Sequence, residues 1–586
     1  MTATIPPPGK TSQQPAFPPD KPWLKSYDAH VPASLKPYPR KTLCDVVAET
    51  ARERPNHPAF LFKGARVSYA RFVAASDAFA AGLADLGVKP GDRVSILIPN
   101  SPQFFIAMFG AWKAGAIVSP VNPLYTRREL NHALNHTGAK VVIALTPFYD
   151  KIKELQNETG VQTVIATNIK EYLPGLMRVL FTLLKEKKEG HRIELQPGDV
   201  WLQDLIQKYR DAPPPDVAID PDAPALLMFT GGTTGLPKAA VNTHQGLLMT
   251  GMQIKAWFGE MLVDWEDIIL ALMPTFHIYG LAGVCATGFV GHQPLALVPN
   301  PRDIDDVLAA IRKVRPAFLP AVPTLFIAMM NHPDVRAGKA DLSSLKLSIA
   351  GAAPLLYETK QRFEELTGGR MVEAYALTES TCTGALTPVL GRYKPGAVGL
   401  PFPDVTLRVV DLETGEQTLP LGETGEILMH APQLMAGYWH RPEETARTIR
   451  ELDGERWLFT GDIGFLDEEG YLHIIDRKKD VIKPGGFQVW PREVEEIIAS
   501  HPAVAEVGVI GVPDDYQGEA VKAFVVLQPG QTLTREELRS WCKGQLAAYK
   551  VPRQVEFCSD LPKSAVGKVL RRELREEQAT NQECET

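Results

Sequence analysis

The sequence predicts an α/β protein of more than one domain, with a large N-terminal part of two α/β sheets and a small β unit, then a smaller α/β domain at the C-terminus. Three observations predict this. The chain has 586 residues, more than the roughly 50–250 over which one hydrophobic core closes. Between about residues 42 and 146, short β-branched runs alternate with longer amphipathic stretches, the texture of βαβ units and parallel sheet. The alternation returns after Ile268 and again near the C-terminus.

Taken in order, residues 1–40 hold ten prolines and no apolar secretory core, so an extended or disordered arm is expected. Next come the strand RVSILIP, the apolar helix FFIAMFGAWKAGA, the strand AIVSPVN, the helix RELNHALNHTG and the strand KVVIALT. The second series runs through ILALMP, PLALVPN, a helix at about 304–314, AFLPAVP and LKLSIAGAAPL. From Ile268 to Pro301 there is no Asp, Glu, Lys or Arg, a length that would suit a membrane span. Its prolines, glycines and histidines cut it into short pieces, and buried core is expected. Around 398–430 short strands punctuated by Gly and Asp mark the small β unit. The charged stretch DRKKD, Asp476 to Asp480, separates apolar segments and sets a boundary between an N-terminal domain at 41–475 and a C-terminal domain at 476–586.

Composition narrows the partners. A net charge of −7 gives no general attraction to phosphate polymers, which excludes nucleic acid as a partner. The six cysteines have neither CxxC nor Cys/His spacing, so neither a disulfide scaffold nor a zinc site is expected, and the compartment is read as reducing and cytoplasmic.

The strongest local signal is an apolar strand that empties into Thr230-Gly231-Gly232-Thr233-Thr234-Gly235-Leu236-Pro237-Lys238. Such a loop aims bare backbone N–H groups, hydroxyls and one ammonium at a polyphosphate; the plain alternative is a Gly/Thr hairpin. It is not a Walker loop, because Lys238 follows Gly235 by three residues and Ala239 stands where a magnesium-binding Ser or Thr would be.

This segment closely resembles the phosphate loop of the acyl-adenylate-forming superfamily, which holds acyl- and aryl-CoA synthetases, firefly luciferase and peptide-synthetase adenylation domains. Four further segments agree in order: Tyr375-Ala-Leu-Thr378-Glu379, Leu458-Phe-Thr-Gly-Asp462, Asp476-Arg477-Lys-Lys479-Asp480 and Pro562-Lys-Ser-Ala-Val-Gly567-Lys568. The resemblance spans about residues 41–575 and implies an adenylating body with a mobile lid. Gly231 stands where many members have Ser, and Ala239 and Ala376 where Gly is usual; the two alanines are expected to add a methyl near the nucleotide.

The resemblance implies ATP and coenzyme A as co-substrates and Mg²⁺ as cofactor. Thr230, Gly231, Gly232, Thr233, Thr234, Gly235 and Lys238 would cradle the phosphates, with Thr230 also catalytic. Glu379 would hold the metal, Thr378 would donate to the α-phosphate, and Tyr375, flanked by Ala374 and Ala376, would lie along the adenine. Gly351, Ala352, Ala353 and Pro354 resemble the loop that closes over that ring. Asp462 suits the two ribose hydroxyls, supported by Arg477, with Ile474 beside the nucleotide. Lys568 would be the cation of adenylation, Lys479 the hinge, and Lys483, Gly485 and Gly486 the wall of the coenzyme A tunnel. Read alone, Glu379 is an exposed helix-start carboxylate, Asp462 a turn residue and Lys568 part of a solvated helix start.

Phe276, His277, Tyr279 and Gly280 match the segment that closes one wall of the acyl pocket, although a lone histidine is more often a core residue. The charge-free run and Val322 to Phe326 are expected to supply an apolar tunnel for a long acid, and the overall likeness is greatest to bacterial long-chain fatty-acid–CoA ligases. Tyr172 to Arg192 is amphipathic and basic; it suits a peripheral membrane contact, a surface helix or a homodimer contact equally. The alternative functions are a medium-chain or aryl acid–CoA ligase and, further off, a fatty-acid transporter or carrier-loading protein.

Overall fold

The computed structural model describes residues 21–230, 237–514, 516–564 and 567–585, with side chains to Gln578. Its framework is the expected α/β one. A seven-stranded sheet runs, in spatial order, Val200–Trp201, Thr163–Thr167, Val141–Leu145, Arg93–Leu97, Ile117–Pro120, Pro224–Thr230 and Lys238–Thr243. Its pairs are parallel except the last, where Pro224–Thr230 turns back antiparallel into Lys238–Thr243. The nine-stranded second sheet is centred on Leu347–Ala350, Phe318–Ala321 and Ile269–Ala271, with Arg370–Tyr375 beside Leu347–Ala350. Its far edge is the early hairpin Pro58–Phe62/Ala65–Ser68, where Phe60 pairs with Leu295.

Local chemistry explains the elements. Helix Pro102–Lys113 shows no polar face because Pro102 through Trp112 are all buried, the pattern of a helix covered on every side. Gly110 lets helix Tyr69–Asp85 lie against it, since a β-carbon there would meet the Phe79 ring at 2.6 Å. Helix Arg127–Thr137 starts in a capping box between Thr126 and Glu129 and stops at Gly138, φ 62°. The charge-free run folds as two buried strands, Ile269–Ala271 and Leu295–Leu297, around a π-helix at Tyr279–Ala286. Among the described residues no helix is long and apolar enough to cross a membrane.

The small β unit is a five-stranded antiparallel sheet that extends to Leu472–Arg477. Beyond it, Val504–Asp514, Gly518–Leu527 and Gln554–Phe557 form a three-stranded sheet with its own core around Ile482, Val494, Val509 and Leu538. The DRKKD stretch is a knot of ion pairs: Asp476 and Asp480, each 6% exposed, receive Arg571 at 2.8 and 3.3 Å.

One expectation fails. Residues 21–40 are not disordered but lie packed along the body. Trp23 is 1% exposed, and Tyr27, Ser34 and Tyr38 bond to the 401–404 segment. Proline content signalled an extended chain, but the aromatic and polar side chains between the prolines tie that chain down. Residues 1–20 lie outside the described residues.

Candidate active site

A cavity of about 1770 Å³ lies between the body and the C-terminal domain and collects most of the candidate residues. Two neighbouring strands build its polar part. Asp462, on Glu455–Leu466, stands across the ladder from Arg477 on Leu472–Arg477, so register alone sets the guanidinium beside the carboxylate, Nε 3.0 Å from Oδ1. The Tyr375 hydroxyl donates to Oδ2 at 2.7 Å. Gly461 precedes Asp462 at φ 70°, a backbone that a side chain would strain. Burial, then the Asp462 charge, holds the Tyr375 phenol well above its usual range and therefore protonated.

Glu379 sits in the turn after Arg370–Tyr375 and accepts the Tyr438 hydroxyl at 2.6 Å. The Lys238 ammonium lies 5.2 Å from the centroid of the same Tyr438 ring, and Thr230 faces Lys238 across the antiparallel pair. Gly231, Gly232, Thr233, Thr234 and Gly235 lie outside the described residues. The backbone carbonyl of Thr378 accepts Asn242 Nδ2 at 3.0 Å. Among the described residues no group of three or more His, Cys, Asp or Glu side chains gathers as a metal site. The lone Glu379 carboxylate fits Mg²⁺ in the form in which phosphate oxygens and water complete the shell.

Lys568 enters from the C-terminal domain. Gly567, at φ 75°, passes so close to the body that a β-carbon would stand 2.7 Å from Thr324 Oγ1. The Lys568 N–H donates to Ser564 Oγ at 3.1 Å, which closes the loop. The Arg477 guanidinium, and then burial, pushes the Lys568 ammonium down to about 8, with Asp462 pulling the other way. The side chain is exposed, but to a space that protein encloses, so neighbouring charge outweighs desolvation. Lys479 also lines the cavity and is lowered to about 8, by burial first and then by Arg477.

Gly351 closes strand Leu347–Ala350 beneath the Tyr279 ring, where a β-carbon would lie 3.2 Å from Cε1. The Tyr279 hydroxyl donates to the Ile349 carbonyl at 3.1 Å. Ala352 turns the chain at φ 66°, and Ala353, Pro354, Ala374, Ala376 and Ile474 complete this lining. Phe276 and His277 lie beside Tyr279, and Gly280 starts the π-helix tightly, since a β-carbon there would meet the Pro274 carbonyl at 2.3 Å. Burial pushes the His277 imidazole down to about 4, so it is neutral at physiological pH. Ile254, Phe318, Cys382, Leu386, Val398 and Phe402 give the lining an apolar part.

Four described candidates stand outside the lining: Gly280, packed against the Pro274 carbonyl, and three in the C-terminal domain. Lys483, Gly485 and Gly486 do not line the cavity; the N–H groups of Lys483 and Gly485 bond to Glu519 and Gln517 within the C-terminal domain. Two finer expectations are corrected. The Ala239 methyl is fully buried with Ile117, Leu227 and Val241, so it faces core and not nucleotide, whereas Ala376 is exposed in the cavity. Of Val322 to Phe326, Pro323 and Thr324 line the cavity, whereas Phe326 packs on Phe363 at 4.8 Å in a separate cluster and does not.

Sequence reasoning missed Tyr438, Glu426 and Arg571. Glu426 is 6% exposed and ties Lys478 at 2.8 Å and the Gly461 N–H at 3.2 Å. Tyr438 reaches Glu379 across 59 residues of sequence, a separation at which no spacing rule operates. The only local hint was its place in the Gly-Tyr-Trp-His-Arg-Pro segment.

A family model described as AMP-binding enzyme matches residues 47–439, and one described as AMP-binding enzyme C-terminal domain matches residues 493–568. A long-chain-fatty-acid–CoA ligase of Bacillus subtilis is 39% identical over 562 residues, covering 96% of this chain and 99% of that protein. One from Escherichia coli is 38% identical, covering 95% and 98%. The crystal structure of ATP-bound MatB from Rhodopseudomonas palustris is 30% identical, with a TM-score of 0.77 over 91% of this chain and 98% of that one. The first matched segment contains Thr230, Lys238, Glu379 and Tyr438, and the second ends on Lys568; with relatives this similar over nearly the full length, the chain belongs to the AMP-binding enzyme family.

Proposed function

We propose that the protein activates a long-chain fatty acid with ATP and passes the acyl group to coenzyme A. The observation that carries this reading is one cavity in which Lys568, Asp462, Arg477 and Glu379 share the lining with the apolar residues Ile254, Phe318, Leu386, Val398 and Phe402. In the first step a carboxylate oxygen bonds to the α-phosphorus and pyrophosphate leaves, giving acyl-AMP; in the second the thiol sulfur bonds to the acyl carbon and AMP leaves.

Thr230 and Lys238, with the loop between them, take the phosphates, and Thr378 the α-phosphate. Glu379 holds a magnesium ion, which when bound supplies positive charge against the phosphates. The segment Gly351 to Pro354, with Ala374, Tyr375, Ala376 and Ile474, takes the adenine, and Asp462 with Arg477 takes the ribose. Lys568 stabilises charge that develops on adenylation, a role in which one lost donor typically costs about 2.7–4 kcal/mol.

The body is assigned to 41–475 and the lid to 476–586. With Lys568 at the cavity and Lys483, Gly485 and Gly486 away from it, this arrangement suits the first step. The lid then turns about Lys479 to bring those residues to the thiol. The protein is placed in the cytoplasm, with helix Gly175–Leu184 resting on a membrane surface.

The test is pyrophosphate release across straight-chain acids from butyric to eicosanoic, with and without coenzyme A. Absence of a coenzyme A-dependent product from every acid sinks the reading, and a preference for medium-chain or aryl acids replaces the acid. Lys568→Ala is expected to abolish acyl-AMP formation while supplied acyl-AMP is still converted to thioester. Equal loss of both half-reactions contradicts the role given to Lys568.

A further inference from the structure

Phe402, which is 4% exposed, belongs to the apolar part of the cavity lining. Its ring packs on the fully buried Trp257, 5.1 Å between centroids. Tyr27, from the N-terminal arm, meets the same Trp257 edge-on, also at 5.1 Å. Three aromatic rings thus run in series from the cavity to the arm.

The arm also grips the backbone on both sides of Phe402. The Tyr27 hydroxyl donates to the Pro401 carbonyl at 2.6 Å. Asp404, in the left-handed region at φ 63°, accepts the Leu35 N–H at 2.9 Å, the Ser34 hydroxyl at 2.5 Å and the Tyr38 hydroxyl at 2.7 Å. His30 bonds through its ring Nε2 to the Trp257 carbonyl at 3.0 Å. The Phe402–Trp257 pair depends on the chain packed behind it, because a radial gap of about 0.5–1 Å already forfeits a quarter to a half of a contact's attraction.

We propose that residues 21–40 are a strap that fixes the floor of the acyl cavity, with Phe402 setting the longest acid accepted and Tyr27 and Asp404 acting as positioning residues. This rests on the reading that the acyl chain occupies the apolar part of the cavity. An acid whose end meets the floor gains no further burial from its next methylene, whereas each methylene admitted is worth about fourfold in kcat/KM. Loosening the strap lets Phe402 and Trp257 retreat, so the limit softens without any change at the nucleotide end.

The experiment measures kcat/KM for acids from octanoic to eicosanoic on the full chain, with KM for ATP and melting temperature recorded for each variant. Phe402→Ala is expected to move the preference to longer acids, by about fourfold for each further methylene admitted; Phe402→Leu serves if the alanine variant does not fold. Tyr27→Phe and Asp404→Asn are expected to raise the longest acids relative to dodecanoic acid while KM for ATP stays at the wild-type value. A profile of unchanged shape in these variants, or a parallel loss across all acids that tracks melting temperature, overturns the proposal. Ile254→Phe, which enlarges another apolar lining residue, separates the two readings. If it removes the longest acids while the Phe402, Tyr27 and Asp404 variants leave the profile alone, the strap is wrong and the acyl reading stands. If it too leaves the profile unchanged, the acyl chain lies elsewhere and both fail.

Discussion

At the scale of single residues, the site is governed by two cations that compete for one carboxylate. Arg477 holds Asp462 at 3.0 Å, and its charge is the main reason that Lys568 is pushed down to about 8. A lysine works as a cation below its pKa and is lost above it, so kcat/KM for ATP in the adenylation half-reaction is expected to fall as pH rises through about 8, since that ratio reports the free enzyme. Arg477→Gln removes the first cause and leaves Asp462, which raises the pKa; the basic limb is expected to move to higher pH whatever happens to the absolute rate. Pyrophosphate release at limiting ATP from neutral to alkaline pH measures this, and a limb that does not move refutes the assignment. Tyr438 makes a second case. Its hydroxyl orients Glu379 at 2.6 Å, and outer partners of this kind are typically worth about 10–100-fold in metal affinity. Tyr438→Phe keeps the ring under Lys238 and is expected to weaken the apparent magnesium affinity by about tenfold. A magnesium titration at saturating ATP and acid checks it, and an unchanged midpoint shows that Glu379 needs no such support.

At the scale of elements, the site is made where one element hands over to the next. Strand Leu472–Arg477 ends in Arg477, paired with Asp462, and within three residues the chain passes Lys479 to Asp480, which Arg571 and Arg575 pin at 3.3 and 2.9 Å. Any turn of the lid must therefore rotate the backbone between two anchored points. Lys479→Pro fixes φ near −65° and is expected to slow thioester formation from supplied acyl-AMP far more than acyl-AMP formation; single-turnover assays of each half-reaction measure the ratio, and comparable slowing of both argues against a hinge there. Of these hand-over points only the Asp-Arg-Lys-Lys-Asp run was legible from its own residues, by charge; Gly461-Asp462 reads alone as a turn and Gly567-Lys568 as a helix start, and the family resemblance singled them out. What could not be read was any partner fixed only by folding. Glu426, Tyr438 and Arg571 act on residues 35 to 95 positions away, and the apolar lining residues Phe318, Leu386 and Phe402 look in sequence like any buried apolar residue. The pairing of Pro58–Phe62 with Leu295–Leu297 was hidden for the same reason, since a strand's pattern gives its burial but not its sheet.

At the scale of the whole molecule, one helix gathers six of the exposed large apolar side chains among the described residues: Leu176, Met177, Val179, Leu180, Leu183 and Leu184. Gly175–Leu184 has no buried residue, and it exposes Leu176 at 74%, Leu183 at 75% and Leu184 at 69%. Between Lys170 and Arg192 there are six basic residues against three acidic, in a chain whose total charge is −7. Concentrating positive charge around an exposed apolar stripe on a net-negative protein is the arrangement that anionic lipid favours and that a water-facing surface helix does not need. The burial available is substantial, since a leucine taken fully out of water contributes about 1.5–3 kcal/mol, and added salt should weaken only the electrostatic part. The protein is expected to co-sediment with vesicles rich in phosphatidylglycerol, less with neutral vesicles, and less again at high salt. The double substitution Leu180→Glu and Leu183→Glu places two carboxylates on the stripe and is expected to abolish sedimentation. It should also lower the rate on oleic acid presented in vesicles while the rate on freely dissolved octanoic acid is unchanged, because neither leucine lines the cavity. Equal sedimentation of variant and parent removes the membrane from the account, and a change from dimer to monomer in sedimentation velocity without any change on vesicles assigns the helix to a contact between two copies of the chain.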